Sequence, residues 1–171
     1  MQVSVSRISE YSELTQKLIM NIWRLKTHHI DADGAFEWTR KHNRIAVGWG
    51  EIGDLRRLNF SSADDIKAVL KSHYPQLRNQ HAGSRSLWNL FHEMQHDDLV
   101  LLSARRARVA VVRVLDDYVF DDKDRFTNDD YFHQCRVEFT NLDPEKVWRD
   151  AGADFARGEG RYQALVRVGS R

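Results

Sequence analysis

Two apolar runs late in the chain, residues 98–103 and 107–120, are separated only by a short turn that contains Arg105 and Arg106. Apolar runs joined by so short a connection are typical of paired β-strands. Shorter runs predict further strands at residues 21–26, 45–49, 132–139 and 162–168. The sequence therefore predicts an α+β fold, either a small curved sheet or a partly closed β-barrel with helices packed outside.

Helical patterns lie between the early strands. They predict helices at residues 34–42, 62–74 and 86–94, with a polar loop at 75–85 between the last two. Either Ser61 or Ser62 is expected to cap the second helix. An N-terminal extension, residues 1–20, carries a further helical pattern, and residues 21–171 are expected to form one domain without a linker.

The charge of the chain is nearly balanced, with 26 basic and 25 acidic residues among 171. This balance argues against holding nucleic acid by bulk charge, so an anionic partner requires a local basic patch. No run is apolar or long enough to predict a membrane span, and the first residues lack the pattern of a secretion signal. With its single cysteine, Cys135, the chain is expected in the reducing cytoplasm, without a membrane partner.

The segment "IAVGWGEIGDL", residues 45–55, places Trp49 between Gly48 and Gly50 directly after a predicted strand. Glycine allows close approach of other groups and unusual backbone angles. Two interpretations are open. The glycines let the Trp49 ring pack against neighbouring backbone, or they leave one ring face open to a flat ligand.

The order of "WRLK", "IAVGWGEIGDL" and "LWNLFHEMQHDDLVLL" resembles that of the EVE-like domains of the PUA superfamily, closest to the N-terminal modules of Mrr- and McrB-type modification-dependent restriction systems. The likeness covers about residues 21–168. It departs from the family at Asp97 and Asp98, where members commonly have a Gly-Asp turn, and residues 1–20 have no counterpart in the family.

This resemblance implies a non-catalytic reader with a barrel-like fold and a pocket that receives one nucleobase, often methylated, flipped out of a DNA duplex. Relatives read methyladenine in RNA, so an RNA-binding PUA-like module is an alternative. Cleavage in such systems belongs to a separate part, here expected to be a partner nuclease or NTPase subunit. Neither cofactor nor metal is expected.

Aromatic and basic residues supply the candidate site. For base binding the candidates are Trp23, Trp49, Gly50 and Trp88, whereas Trp38 and Trp148 are assigned to packing. Stacking on one aromatic ring contributes about 1 to 3 kcal/mol, so two walls could offset the cost of unstacking a base from a duplex. For phosphate contacts the candidates are Arg78, Arg85, Arg105, Arg106 and Arg108, each of which could equally be an ordinary solvated charge.

A competing motif is "HEMQH", His92 to His96, which matches the H-E-x-x-H pattern of zinc proteases. Such a site needs both histidines inside a long helix and a third ligand from a later element. Here a predicted strand begins soon after His96, which makes a zinc hydrolase the weaker alternative.

Overall fold

A computed structural model describes residues 20–123, 126, 129–153 and 162–170. Six strands and four helices follow the chain in the order β1 (Asn21–Lys26), α1 (Ala32–His42), β2 (Arg44–Val47), α2 (Ala63–His73), α3 (Gln80–Trp88), β3 (Leu99–Ala104), β4 (Ala107–Phe120), β5 (His133–Phe139), α4 (Pro144–Asp150) and β6 (Leu165–Ser170). Short 3-10 turns at Gly50–Ile52 and Leu55–Arg57 follow β2, and a π-helical turn, Asn89–Glu93, extends α3. No helix of this described part is long and apolar enough to cross a membrane.

The strands form one mixed sheet in the order β2-β5-β4-β3-β1-β6. Strands β1 and β3 are parallel, and every other neighbouring pair is antiparallel. The architecture is therefore α+β, as predicted. The expected partial closure into a barrel is not observed, because β2 and β6 lie at opposite edges of the sheet.

The edge strand β6 pairs with β1 on one side, and helical side chains bond to the start of its other side. The Ser86 hydroxyl of α3 accepts hydrogen bonds from the backbone N–H groups of Ala164 and Leu165, and the Asn89 side chain donates to the Leu165 carbonyl. Backbone groups at a sheet edge need such partners. Side chains of the helical layer therefore take the place of a closing strand at this edge.

The sheet is apolar on both faces. On one face α2 and α3 pack over the larger core, which includes Ile66, Leu70 and Leu87. On the other face α4 packs through Val147 onto a smaller cluster that includes Ile22. Because successive strand residues point to opposite faces, Ile22 and its neighbour Trp23 belong to different cores.

Local signals located most elements correctly. Ser62 caps α2 through a reciprocal capping box with Asp65, as one of the two predicted caps. The predicted loop at 75–85 was too long, because α3 already begins at Gln80, with the Asn79 side chain accepting from the Ala82 N–H. The helix predicted within residues 8–20 lies outside the described residues except for Met20.

Candidate functional site

The loop after β2 uses its glycines for internal packing. Trp49 has φ +67°, a left-handed conformation that is unusual for a bulky residue. A Cβ on Gly50 would overlap the Phe132 ring and the Asp130 carbonyl, and a Cβ on Gly83 of α3 would lie 3.2 Å from the Trp49 ring. The Trp49 indole thus packs against the backbone of α3, which favours the first of the two interpretations.

Asp130 anchors this loop from the other side. Its carboxylate accepts hydrogen bonds from the Trp49 N–H, at 3.3 Å, and from the Tyr74 hydroxyl. Its carbonyl accepts from the Gly50 N–H at 2.9 Å. These contacts hold Trp49 in its left-handed conformation.

A buried histidine completes the support. Burial lowers the pKa of His133 to about 4, so its ring is neutral at neutral pH. Its Nε2 lies 3.1 Å from the Trp49 carbonyl, which only accepts, so Nε2 carries the proton and Nδ1 accepts from the Tyr118 hydroxyl at 2.8 Å. The Tyr118 hydroxyl in turn accepts from the Leu55 N–H.

The other two candidate tryptophans are core residues. Trp23 is 2% exposed, and its indole N–H donates to the Asp98 carboxylate at 2.7 Å. Trp88 is 9% exposed, and its indole N–H donates to Glu93 at 2.9 Å. Trp23, Trp49 and Trp88 therefore do not surround an open slot in this structure. The physical reason is that carboxylates accept from both indole N–H groups and hold the rings in the core. Buried Asp98 accepts from Trp23, and exposed Glu93 accepts from Trp88.

Asp97 and Asp98 lie in the turn that leads into β3. Asp97 has φ +70°, the conformation for which glycine is favoured. Asp98 is 2% exposed and also accepts from the backbone N–H groups of Asn21 and Gln95. Asp98 thus joins β1 to the segment that leads into β3.

A groove of about 200 Å³ lies on the smaller-core face of the sheet, beside the β3–β4 turn. We call it the basic groove; it is lined by Arg24, Lys26, Ser103, Arg105, Arg106, Arg108 and Trp148. The parallel register pairs Lys26 with Ser103, which brings the end of β1 next to the turn that follows β3. Five cationic side chains thus meet around one concave surface.

Arg24 contributes a buried cation to the basic groove. It is 6% exposed, and burial lowers its pKa to about 10, which still leaves the guanidinium charged at neutral pH. Electrostatic attraction is stronger where water screens it less. An anion entering the basic groove would therefore be attracted more strongly by Arg24 than by a solvated arginine.

The rim of the basic groove combines charge with a flat ring. Arg108 lies over the Trp148 ring at 4.1 Å from the ring centroid and pairs with Glu145 at 2.7 Å. Arg105 has φ +56° in the β3–β4 turn and pairs with Asp33 at 2.8 Å. The rim can thus present guanidinium groups to phosphates beside an aromatic surface.

The structure divides the predicted phosphate residues into two groups. Arg105, Arg106 and Arg108 line the basic groove together, as their shared turn predicted. Arg78 and Arg85 are exposed beside and on α3, which packs on the opposite face of the sheet. These two arginines therefore cannot contact a ligand held in the basic groove.

Three residues of the basic groove were missed from the sequence. Arg24 and Lys26 carried a usable signal, because two cations alternating along β1 must share one face of the sheet. Trp148 had been assigned to packing, and no local pattern in α4 indicates that it would lie near Arg24.

The "HEMQH" segment lacks the geometry of a zinc protease. The π-helical turn ends at Glu93 and Met94 is extended, so His92 and His96 do not share a helical face. His96 Nδ1 lies 2.6 Å from the Leu115 carbonyl. Across the ranges that the structure describes, no group of three potential ligands could hold a metal ion.

A family model described as "Domain of unknown function (DUF8426)" matches residues 23–149, which is most of the chain. No curated protein matches the chain.

Proposed function

We propose that this chain, which belongs to the DUF8426 family, is a non-catalytic nucleic-acid-binding domain that holds phosphates in the basic groove. The observation that carries the proposal is the buried Arg24 guanidinium within a groove lined by four further cations. Five of the chain's 26 basic residues line this groove, although the net charge of the chain is only +1. Phosphate contacts supply much of the affinity in protein–nucleic acid complexes.

The aromatic part of the groove favours nucleic acid over a simple anion. Trp148 is partly exposed beside Arg108, and an indole offers stacking area for a base or sugar next to the phosphate contacts. A ligand with alternating phosphates and planar rings contacts both the cations and the Trp148 ring, whereas inorganic phosphate contacts only the cations.

The finer proposal is an EVE-like reader of the PUA superfamily that recognises a methylated base in duplex DNA, with any cleavage left to a partner nuclease or NTPase subunit. The resemblance of "GWGEIGDL" and the order of the elements support it. The base-contacting residues are not assigned to Trp23 or Trp88, because both rings are buried. Binding of structured RNA is the alternative.

Fluorescence anisotropy with labelled oligonucleotides tests both levels of the proposal. The panel consists of duplex DNA with methyladenine, methylcytosine, hydroxymethylcytosine or no modification, single-stranded DNA, and structured RNA. We expect saturable binding that weakens as salt rises, because bound phosphates release counterions. Equal binding of all the duplexes would refute modified-base reading, and tighter binding of RNA would favour the alternative.

Charge-removing variants locate the contact surface. Lys26→Gln and Arg106→Gln should each weaken binding. Each should also lower the slope of log Kd against log salt concentration by about one, the effect of one lost phosphate contact. The matched control is Arg57→Gln, since Arg57 is an exposed arginine outside the basic groove. If all three variants bind alike, the basic groove is not the nucleic-acid site.

A further inference from the structure

A second cavity, of about 340 Å³, lies at the other end of β3 from the basic groove. We call it the ring pocket; its walls include Arg56, Phe91, His92, Gln95, Asp117 and Tyr118. Phe91 and His92 come from the π-helical turn just before β3, whereas Ser103 and Arg105 of the basic groove come after it. Its volume is within the usual range for small-molecule sites.

Irregular backbone from three elements forms the ring pocket. Phe91 and His92 lie in the π-helical turn Asn89–Glu93. Tyr118 follows a break in register between β4 and β5, and Arg56 lies in the 3-10 turn Leu55–Arg57. π-helical turns and strand irregularities occur frequently at functional sites, where they redirect side chains. Their convergence on one cavity indicates a site and not a packing defect.

Three of the six walls named above, Phe91, His92 and Tyr118, are aromatic, and these rings are held in place. Phe91 meets Tyr118 edge to face, with 5.3 Å between the ring centroids. The exposed His92 ring lies against Trp88 at 4.3 Å. Tyr118 is fixed through its hydroxyl by His133, so its ring cannot turn away without breaking a buried hydrogen bond.

The rim adds polar groups of several kinds. Gln95 and Asp117 are exposed; the Gln95 amide can donate or accept a hydrogen bond, and the Asp117 carboxylate can accept one. The Arg56 guanidinium lies 5.8 Å from the Tyr118 ring centroid. Aromatic walls bind flat rings by stacking, and polar rim groups select rings with nitrogen or oxygen at their edges.

We propose that the ring pocket is a second binding site, one that accepts a planar heteroaromatic ring the size of a nucleobase. Such a ring is available from a free nucleoside or from a base of a bound nucleic acid. The inference deepens the proposed function, on which it rests where the ring is a base of a bound nucleic acid. It uses a different surface, because the ring pocket and the basic groove share none of their lining residues.

Isothermal titration with adenosine and cytidine tests the proposal, with ribose as the probe that lacks a ring system. We expect saturable binding of at least one nucleoside and none of ribose. Phe91→Leu keeps an apolar side chain but removes the ring, and it should weaken nucleoside binding roughly 5- to 100-fold, the effect of one lost stacking contact. His92→Ala should weaken it as well, and because His92 is exposed this variant is expected to fold.

Two matched variants complete the design. Phe60→Leu changes another partly buried phenylalanine that packs on the same core outside the ring pocket, and it should leave nucleoside binding unchanged. Arg106→Gln should weaken oligonucleotide binding only, so that failure of the basic groove and failure of the ring pocket can be told apart. The proposal is overturned if neither nucleoside binds at millimolar concentration, if ribose binds equally well, or if Phe91→Leu and His92→Ala bind like the unmodified protein.

Competition identifies the source of the ring. If saturating adenosine displaces an oligonucleotide with an unpaired base, the ring pocket accepts bases of nucleic acids. If adenosine binds without displacing any oligonucleotide, the ring pocket serves free nucleosides. Both results support a heteroaromatic site.

Discussion

Arg105 adopts φ +56° in the turn between the paired residues Ala104 and Ala107. Residues at such turn positions are usually glycine, asparagine or aspartate, because a Cβ is unfavourable at positive φ. A non-glycine residue in the left-handed region costs about 1 to 2 kcal/mol. The Arg105→Gly substitution should relieve this strain while removing one cation from the basic groove.

The expected change in stability follows from three contributions. Relief of strain favours the variant by about 1 to 2 kcal/mol, and the greater flexibility of glycine in the unfolded chain opposes it by about 0.5 to 1 kcal/mol. The lost pair with Asp33 joins two mostly exposed side chains and contributes about 0 to 1 kcal/mol. The change in the free energy of unfolding should therefore lie between a loss of about 1 kcal/mol and a gain of about 1.5 kcal/mol.

Oligonucleotide binding, unlike stability, should change clearly. If Arg105 contacts a phosphate, Arg105→Gly weakens oligonucleotide binding and lowers the salt dependence of log Kd by about 0.9 for duplex DNA. Arg105→Lys is the matched control, because it keeps both the charge and the strained backbone; its binding should be close to that of the original chain.

Urea unfolding and salt-dependent anisotropy on the same preparations check both parts. Two results would contradict this reasoning. A loss of stability well above about 1 kcal/mol would show that the arginine side chain supports the turn. Binding as tight and as salt-dependent as before would remove Arg105 from the contact surface.

Three further predictions concern single residues that support the fold. Tyr118→Phe leaves His133 Nδ1 and the Leu55 N–H without their hydroxyl partner. It should lower the free energy of unfolding, measured in urea, by about 1 to 3 kcal/mol. An unchanged midpoint of urea unfolding would mean that other groups bond to His133 Nδ1 and to the Leu55 N–H. Asp97 has φ +70°, a region that aspartate tolerates only in part. Asp97→Gly should therefore raise the free energy of unfolding by about 0.5 to 1 kcal/mol. A lower free energy of unfolding would show that the carboxylate itself contributes to stability. Burial lowers the pKa of His133 to about 4 from an ordinary 6.5, so the unfolded chain binds more protons than the folded chain between these pH values. The free energy of unfolding should therefore fall by roughly 3 kcal/mol as pH drops from 6.5 to 4. Urea titrations at several pH values measure this fall, and an equal fall in His133→Gln would assign it to other groups.

Local patterns located the elements because they depend on neighbouring residues only. The apolar runs in residues 98–103 and 107–120 and the short turn between them identified β3 and β4 as a hairpin. The same turn brought Arg105, Arg106 and Arg108 together. The capping residue of α2 was also found, since a capping box spans just four positions of the chain.

Contacts between distant residues decided the rest. Trp23 looked available for a ligand, but Asp98, 75 positions away, accepts its indole N–H inside the core. Gly83 suggested a loop, yet it lies in α3, where the Trp49 ring packs against it. Neighbouring residues in the sequence indicate neither the contact between Trp23 and Asp98 nor the contact between Trp49 and Gly83.

By itself, the sequence of this protein determined an α+β fold with a basic hairpin turn, because periodicity, turn chemistry and charge act over a few residues. Only the tertiary structure decided that the sheet stays open, that the indoles are buried, and that Arg24, Lys26 and Trp148 join the turn arginines in one groove. The reason is that the parallel register of β1 and β3 and the docking of α4 join segments far apart in the chain. Such pairings depend on how whole faces fit together, which no short stretch of residues specifies.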